Sequence, residues 1–410
     1  MEKTDQAGQH LFKGAFRILS SELLILPTGI LIVSFLTRKL GPHEFGLYIL
    51  SSTIVAWIEW SLSTIFGRAT IKLIGEAEDW KPIGGVTTRF YLIVSLFVMF
   101  LLLVIAKPIA TAMNEPALAN YLRLFSLDIP IFGLAQAHRQ LLIGIGAFNE
   151  RAYLSVARWI GRFILIVILV QLGLSIQGAI LGSIAASCIE VIVGRYFIQV
   201  PLFVKSNFDS RRFWNYAASL SLAGLSMRTF DKLDIFMLKF LGGTTAVAGF
   251  YGSAQNLSIL PGIFALSFSP LLLSNLSRLL KNGDQSAAKG LIKDSIRLSV
   301  LLLPFGAIVA GSSSEIVRFF FGDRYSAAAP LLSWLIFSAL CVSISSTTTA
   351  IITASGKPHW TLLLVAPCVP LAIAGHFIFI PKFDAMGAAL VTTSLSILLA
   401  TITMIVVYRM

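Results

Sequence analysis

Arg139, Arg158 and Arg162 stand in stretches that are otherwise apolar, and their spacing gathers them. Arg151, Arg158 and Arg162 fall at i, i+7 and i+11. At 100° per residue they share about a 40° arc of one helix face, in a stripe about 16 Å long. The stretch before the 146–152 turn runs the opposite way and brings Arg139 to a depth similar to that of Arg158 and Arg162. A guanidinium donates two parallel hydrogen bonds to phosphate oxygens, so this grouping suits such an anion. A second group, Arg228, Asp231, Lys232 and Asp234, spreads over one broad helix face, at about 0°, −60°, +40° and −120°. There Arg228 and Lys232 suit an anion, while Asp231 and Asp234, with Glu59 in the first half, suit gating by a proton or a coupling cation. The plainer alternative is structural pairing. Glu22, Glu59 and Asp128 are available to neutralise the arginines, Arg151 reads as a loop residue, Arg158 has the length to snorkel, and the second group closes equally well as an Arg–Asp/Lys–Asp network.

These charges sit in a chain that is 56% hydrophobic and only 13% charged, which excludes a soluble domain. At about 20 apolar residues per crossing, the sequence predicts about twelve membrane helices. They fall at 16–37, 46–66, 90–109, 122–146, 155–174, 176–197, 213–240, 247–272, 291–310, 327–352, 359–380 and 386–408. Nothing shows the ten-residue alternation of a membrane barrel. The polar start from Met1 to His10 reads as cytoplasmic, with no removable signal. Leu273–Lys293 carries leucines at helical spacing with Arg278 and Lys281 between them, and predicts a helix lying at the cytoplasmic interface.

The net charge of +12 raises a nucleic-acid partner, but the placement of charge excludes it. With the N-terminus inside, about 22 Lys and Arg fall on the cytoplasmic side and about 10 on the other, which is the positive-inside bias. Both termini are then cytoplasmic. The three cysteines, Cys188, Cys341 and Cys368, fall in different spans and read as packing thiols. No HExxH pair, phosphate loop or CxxC pair is present, so no catalytic constellation, metal site or cofactor is expected. Trp57 and Trp60 flank Glu59 and read as packing or interfacial anchors before sugar-stacking groups.

The pattern of the first half returns in the second. Leu40-Gly41-(x4)-Gly46-Leu47-Tyr48 reappears as Leu241-Gly242-(x6)-Gly249-Phe250-Tyr251, and Ile176-Gln177-Gly178-Ala179-Ile180 as Ala385-Met386-Gly387-Ala388-Ala389. The expectation is two six-helix lobes, 1–205 and 206–410, related as parallel repeats about an axis along the membrane normal. At an offset of about 210, Arg139, Arg158 and Arg162 fall on Thr349, Cys368 and Ala372, so the repeated fold does not itself demand cations there.

Three stretches carry a family resemblance. They are Arg38-Lys39-Leu40-Gly41-Pro42-(x2)-Phe45-Gly46-Leu47-Tyr48, Asp231-(x2)-Asp234-(x6)-Leu241-Gly242-(x6)-Gly249-Phe250-Tyr251, and Phe321-Gly322-(x2)-Tyr325-(x)-Ala327-Ala328-Ala329-Pro330-Leu331. In these the chain resembles polysaccharide flippases of the Wzx type, within the multidrug/oligosaccharidyl-lipid/polysaccharide exporter superfamily. The resemblance implies two six-helix bundles around a cavity that opens alternately to each side. It also implies an oligosaccharide on undecaprenyl diphosphate as cargo, moved from the cytoplasmic to the periplasmic leaflet of a bacterial inner membrane, for surface polysaccharide such as O-antigen. The arginines would then meet the diphosphate, H+ or Na+ would serve as coupling ion, and other polysaccharide-assembly membrane proteins would be partners. The peptidoglycan-precursor flippases of this superfamily carry two more C-terminal helices than the twelve expected here. A drug/cation antiporter of the same superfamily is the alternative, though its cavity should be dominated by carboxylates. A polytopic polymerase or ligase ranks last, because the outer loops near 110–121 and 311–326 are short.

Overall fold

The computed structural model describes residues 20–200 and 232–409. Arg228 and Asp231, and the 201–212 part of the expected link, lie outside the described residues. All regular structure among the described residues is helical. Contacts divide the chain into two compact units, Met1–Leu40 with Leu47–Thr229, and Gly41–Gly46 with Phe230–Met410.

Among the described residues, seven stretches are long and apolar enough to cross a membrane by length and composition. Three of them, Ser20–Gly75, Phe148–Phe197 and Leu363–Arg409, run to 56, 50 and 47 residues, and each is broken inside. A single crossing needs about 20 residues, so each has the length for two.

The first unit carries α1 (Ile25–Gly75) apart from its Gly41–Gly46 stretch, α2 (Lys81–Ala112), α3 (Leu118–Ser126), α4 (Asp128–Gly144), α5 (Phe148–Leu169) and α6 (Ser175–Phe197). Helix α1 is interrupted at Gly41, where φ is 75° and ψ 174°, a conformation that a Cβ would strain. Helix α2 shows the sorting that lipid imposes. Gly84, Thr87, Thr88, Ser95, Ala106 and Ala110 are buried, whereas Phe97 is 66% and Val104 75% exposed. Small residues let helices approach closely, and large apolar ones face a solvent as apolar as themselves. A cluster of Ile74, Leu141, Leu142, Leu154, Ile198 and Val200 closes one end of the unit.

The second unit carries α7 (Leu233–Phe240), α8 (Thr245–Ser258), α9 (Leu260–Lys281), α10 (Gln285–Val300), α11 (Leu303–Gly311), α12 (Ser313–Phe321), α13 (Ala329–Ala354), α14 (Pro358–Val365) and α15 (Cys368–Arg409). A seam of hydroxyls joins α13 to α15: Thr348 donates to Thr403 at 2.8 Å, and Ser338 pairs with Ser396 at 2.9 Å. Tyr325 is wholly buried, with Phe45, Phe250 and Phe321 around its ring.

The interfacial helix expected at Leu273–Lys293 is corrected. Residues up to Lys281 continue α9, Gly283 takes a positive φ of 76°, and α10 starts afresh at Gln285, with Asp284 capping the Ala287 amide. The leucine spacing is that of an amphipathic end of a longer helix. Leu272 and Leu276 pack with Ala288, Ile351, Ile352 and Val407 and so bury in protein.

Two breaks resemble one another closely. Ser175, after a π-turn at Val170–Leu174, has φ 47° and ψ −129°. Asp384, about 210 positions later, has φ 50° and ψ −130°. In both cases the glycine three residues on meets the backbone of the preceding helix. A Cβ on Gly178 would stand 2.9 Å from the Leu169 carbonyl oxygen, and one on Gly387 would collide with the Phe379 carbonyl.

Candidate functional site

Among the described residues, buried ionisable groups lie in both units. In the first unit, α4, α5 and α6 converge on one carboxylate. Glu190 on α6 is 0% exposed. Arg139 from α4 grips it as a fork, Nε donating to Oε1 and Nη2 to Oε2. Arg158 from α5 donates from Nη1 to the same Oε2 at 3.0 Å and to Ser187 Oγ at 3.3 Å. The Phe132 ring lies 5.4 Å from the Arg139 guanidinium carbon and 4.7 Å from that of Arg158, within cation–π range. Of the three arginines that the sequence expectation placed together, Arg139 and Arg158 do meet on one carboxylate, whereas Arg162 bonds Ser183 and Tyr48 instead. The common partner of Arg139 and Arg158, Glu190, was missed.

Arg151 is corrected from a loop residue to a buried member of α5. Its Nη2 donates to Glu22 Oε1 at 2.6 Å, Nη1 donates to Ser155 Oγ, and Ser155 in turn donates to Glu22 at 2.9 Å. Arg162 differs from these three. Its Nε donates to Ser183 Oγ at 3.3 Å and its Nη2 to the Tyr48 hydroxyl at 3.2 Å, and no carboxylate among the described residues pairs with it directly.

Glu59 on α1 and Asp128 at the start of α4 are 5% and 2% exposed. The two carboxyls lie within electrostatic reach of each other. Glu59 Oε1 and Asp128 Oδ1 have no hydrogen-bond partner among the described residues. Among the described residues neither forms a salt bridge within 4 Å to an arginine, although Arg158 and Arg162 act on both electrostatically.

In the second unit, Asp234 is buried in the first turn of α7. Its Oδ1 accepts the Ile235 amide at 2.8 Å, while Oδ2 accepts the Tyr251 hydroxyl at 2.7 Å and the Gln255 amide at 3.0 Å. Buried His376 on α15 lies within electrostatic reach of it. Lys232 precedes the first residue of α7 and is half-buried. Asp234's hydrogen-bonding side chains among the described residues are neutral, from α8, where the charge pattern alone suggested Lys232. The signal was the Tyr251 and Gln255 spacing on α8, i and i+4, one turn of a helix that packs on α7. Trp57 is half-buried, with its indole Nε1 unbonded among the described residues.

A family model described as polysaccharide biosynthesis protein matches residues 35–330. The chain belongs to that family. Within the polysaccharide biosynthesis proteins it is similar to a putative O-antigen transporter of Shigella flexneri, 24% identical over 388 residues, which cover 89% of this chain and 90% of the relative. It is also 22% identical over 264 residues to an uncharacterized membrane protein of Methanocaldococcus jannaschii, covering 62% of this chain and 52% of that protein, so it spans about half of that relative's length. Among solved structures, a lipid II flippase, MurJ, in an inward closed conformation aligns with a TM-score of 0.77 at 16% identity, over 98% of this chain and 87% of the other. The shared fold is that of an all-helical membrane transporter.

Proposed function

We propose that this family member is a flippase for a lipid-linked oligosaccharide, carrying undecaprenyl-diphosphate-linked repeat units from the cytoplasmic to the periplasmic leaflet by alternating access. The observation that carries the proposal is the arginine cluster inside the membrane of a transporter-fold polysaccharide biosynthesis protein. A charge at mid-bilayer costs at least about 2.5–3.5 kcal/mol on insertion scales, so four guanidiniums gathered on α4 and α5 require a use. Glu190 and Glu22 account for Arg139, Arg158 and Arg151. Arg162, held by two hydroxyls, keeps donors that a diphosphate would take in preference to neutral partners. We therefore assign Arg162 to the cargo, and Arg139 and Arg158 to its positioning through Glu190. The similarity to an O-antigen transporter supports the polysaccharide cargo.

The remaining parts of the reading are proposals of the same kind. Twelve crossings form two lobes, 1–205 and 206–410, repeated about an axis normal to the membrane, and the paired breaks at Ser175 and Asp384 support that repeat. Both termini are cytoplasmic, as are the segments near 73–88, 198–212 and 273–290. Arg228 and Lys232 meet the cargo from the second lobe, and Asp231, Asp234 and Glu59 serve gating or coupling to H+ or Na+. The chain acts as a carrier, without a catalytic step. The test is the leaflet on which lipid-linked repeat units accumulate in a strain lacking the gene. Accumulation on the cytoplasmic leaflet is expected, and accumulation on the periplasmic leaflet would place the protein after translocation and overturn the reading.

A further inference from the structure

The sequence Ser355-Gly356-Lys357-Pro358 closes one helix of the second unit and opens the next. Gly356 takes a φ of 79°, so its amide returns to the Thr353 carbonyl at 3.1 Å and the Lys357 amide to that of Ile352 at 3.3 Å, and Pro358 begins α14. Lys357 is thereby held between two helix ends. The end of α15 comes to the same place: Lys357, Trp360, Ile405, Val406 and Arg409 line one cavity of about 350 Å³. Lys357 Nζ stands 6.0 Å from the centre of the Trp360 ring. Neither 355–365 nor 400–409 contains an acid, and among the described residues neither Lys357 nor Arg409 forms an ion pair. Elsewhere in this unit, exposed Arg297 and Arg318 stand 4.0 and 2.8 Å from Asp294 and Asp323. The cavity thus carries two positive charges that no described carboxylate balances.

Beyond the cations the walls are apolar. Ile405 and Ile402 lie four and seven residues before Arg409, on its face of α15, and Leu363 lies one turn beyond Trp360 on α14. All three are exposed, and at 1.5 Å per residue Ile402 stands about 10 Å along the helix from Arg409. A soluble anion would use the cations and leave that track bare, whereas a lipid with its phosphate at the cations lays an acyl chain along it. We propose that this cavity binds the headgroup of an anionic membrane phospholipid, with Lys357 and Arg409 holding the phosphate, Trp360 beside it, and the acyl chains running over Ile405, Ile402 and Leu363. Basic pockets between membrane helices take such headgroups, and tryptophan is enriched at their level. An interfacial tryptophan and two flanking cations would anchor helix ends wherever they stood; here α14 and α15 bring them to one cavity. The choice of leaflet, cytoplasmic, rests on the topology proposed above. The site itself does not.

The full chain in lipid nanodiscs tests this with Trp360 as its own reporter. Lipids with brominated acyl chains quench tryptophan on contact, and the difference between wild type and Trp360→Phe isolates the Trp360 signal. That signal should be quenched at a lower mole fraction of brominated phosphatidylglycerol than of brominated phosphatidylcholine. The preference should fall about fivefold in Lys357→Gln or Arg409→Gln, the equivalent of about 1 kcal/mol per cation at a membrane surface, and vanish in the double variant. Lys357→Arg and Arg409→Lys should keep it. Both side chains are exposed, so these substitutions leave the fold intact. Equal quenching by the two lipids in wild type, or an unchanged preference in the double variant, overturns the site. Lys289→Gln with Lys293→Gln removes two exposed charges from α10 and should leave the preference intact; a loss equal to that of the double variant would reveal a diffuse surface field and overturn the site too. Geranyl diphosphate should not displace the brominated phosphatidylglycerol, and displacement would assign the cavity to a diphosphate lipid in place of a phospholipid.

Discussion

Glu190→Gln is the sharpest test of how the first unit holds its charges. The wild-type carboxylate accepts two hydrogen bonds from Arg139 and one from Arg158, fully buried. Glutamine keeps the shape but loses the charge and turns one acceptor into a donor facing guanidiniums. Removing one partner of a buried pair costs about 3–5 kcal/mol, chiefly because the remaining charge stays buried and unpaired. Here two guanidiniums are left, so the upper part of that range applies. Typical domain stabilities are about 5–15 kcal/mol, so most of the margin disappears. The assay is the level of protein in the membrane together with the temperature at which detergent-solubilised protein loses its monodisperse elution peak. Both should fall sharply, and adding Arg139→Gln should recover part of the loss by removing one orphaned cation. A Glu190→Gln protein with wild-type level and thermal resistance would refute the structural role of this carboxylate and, with it, the separation of Arg162 from Arg139 and Arg158.

Arg162→Ala should leave protein level near normal yet cut polymer export about ten- to hundredfold, the equivalent of one charge-assisted contact of about 1.5–3 kcal/mol; Lys should rescue only part of it, and normal export in the alanine variant would remove Arg162 from the cargo site. Gly178→Ala should lower thermal resistance because its Cβ meets the Leu169 backbone, whereas Gly29→Ala, with open space around it, should not. Asp234→Ala strands the Tyr251 hydroxyl and the Gln255 amide and should cost about 1–3 kcal/mol, read as a lower melting temperature than Asp234→Asn gives. A cysteine at Lys81 should be labelled only from the cytoplasmic side, and labelling from outside would invert the topology.

The all-helical, membrane-transporter character was legible because lipid leaves a coarse mark on sequence: long apolar runs. The gathering of Arg139 and Arg158 was legible too, since helical spacing fixes a face. What spacing did not reveal was the third helix. Glu190 lies more than thirty residues from Arg158 in sequence, and nothing in its neighbourhood marks it as the partner in place of Glu22, Glu59 or Asp128. Those three acids were seen as neutralisers, yet among the described residues only Glu22 forms an ion pair, with Arg151. The error at Leu273–Lys293 came from reading amphipathicity as orientation. An apolar stripe buries against protein or lipid alike, and only the turn at Asn282–Asp284 distinguishes the two.

The breaks at Ser175 and Asp384 bear on how the polypeptide enters the bilayer during synthesis. Each joins two antiparallel apolar arms through a turn of a few residues, with the arms in backbone contact, Gly178 against Leu169 and Gly387 against Phe379. Such a pair has only a turn of a few residues, carrying Lys382 and Asp384 in the second case, to retain on one side or pass to the other, which suits insertion as a helical hairpin in one event. The two arms cannot then take up orientation independently: reversing one reverses both. Topogenic information for these four arms therefore resides in the basic residues that flank each hairpin, and charge reversal in a single flank should turn over a hairpin, never a lone helix.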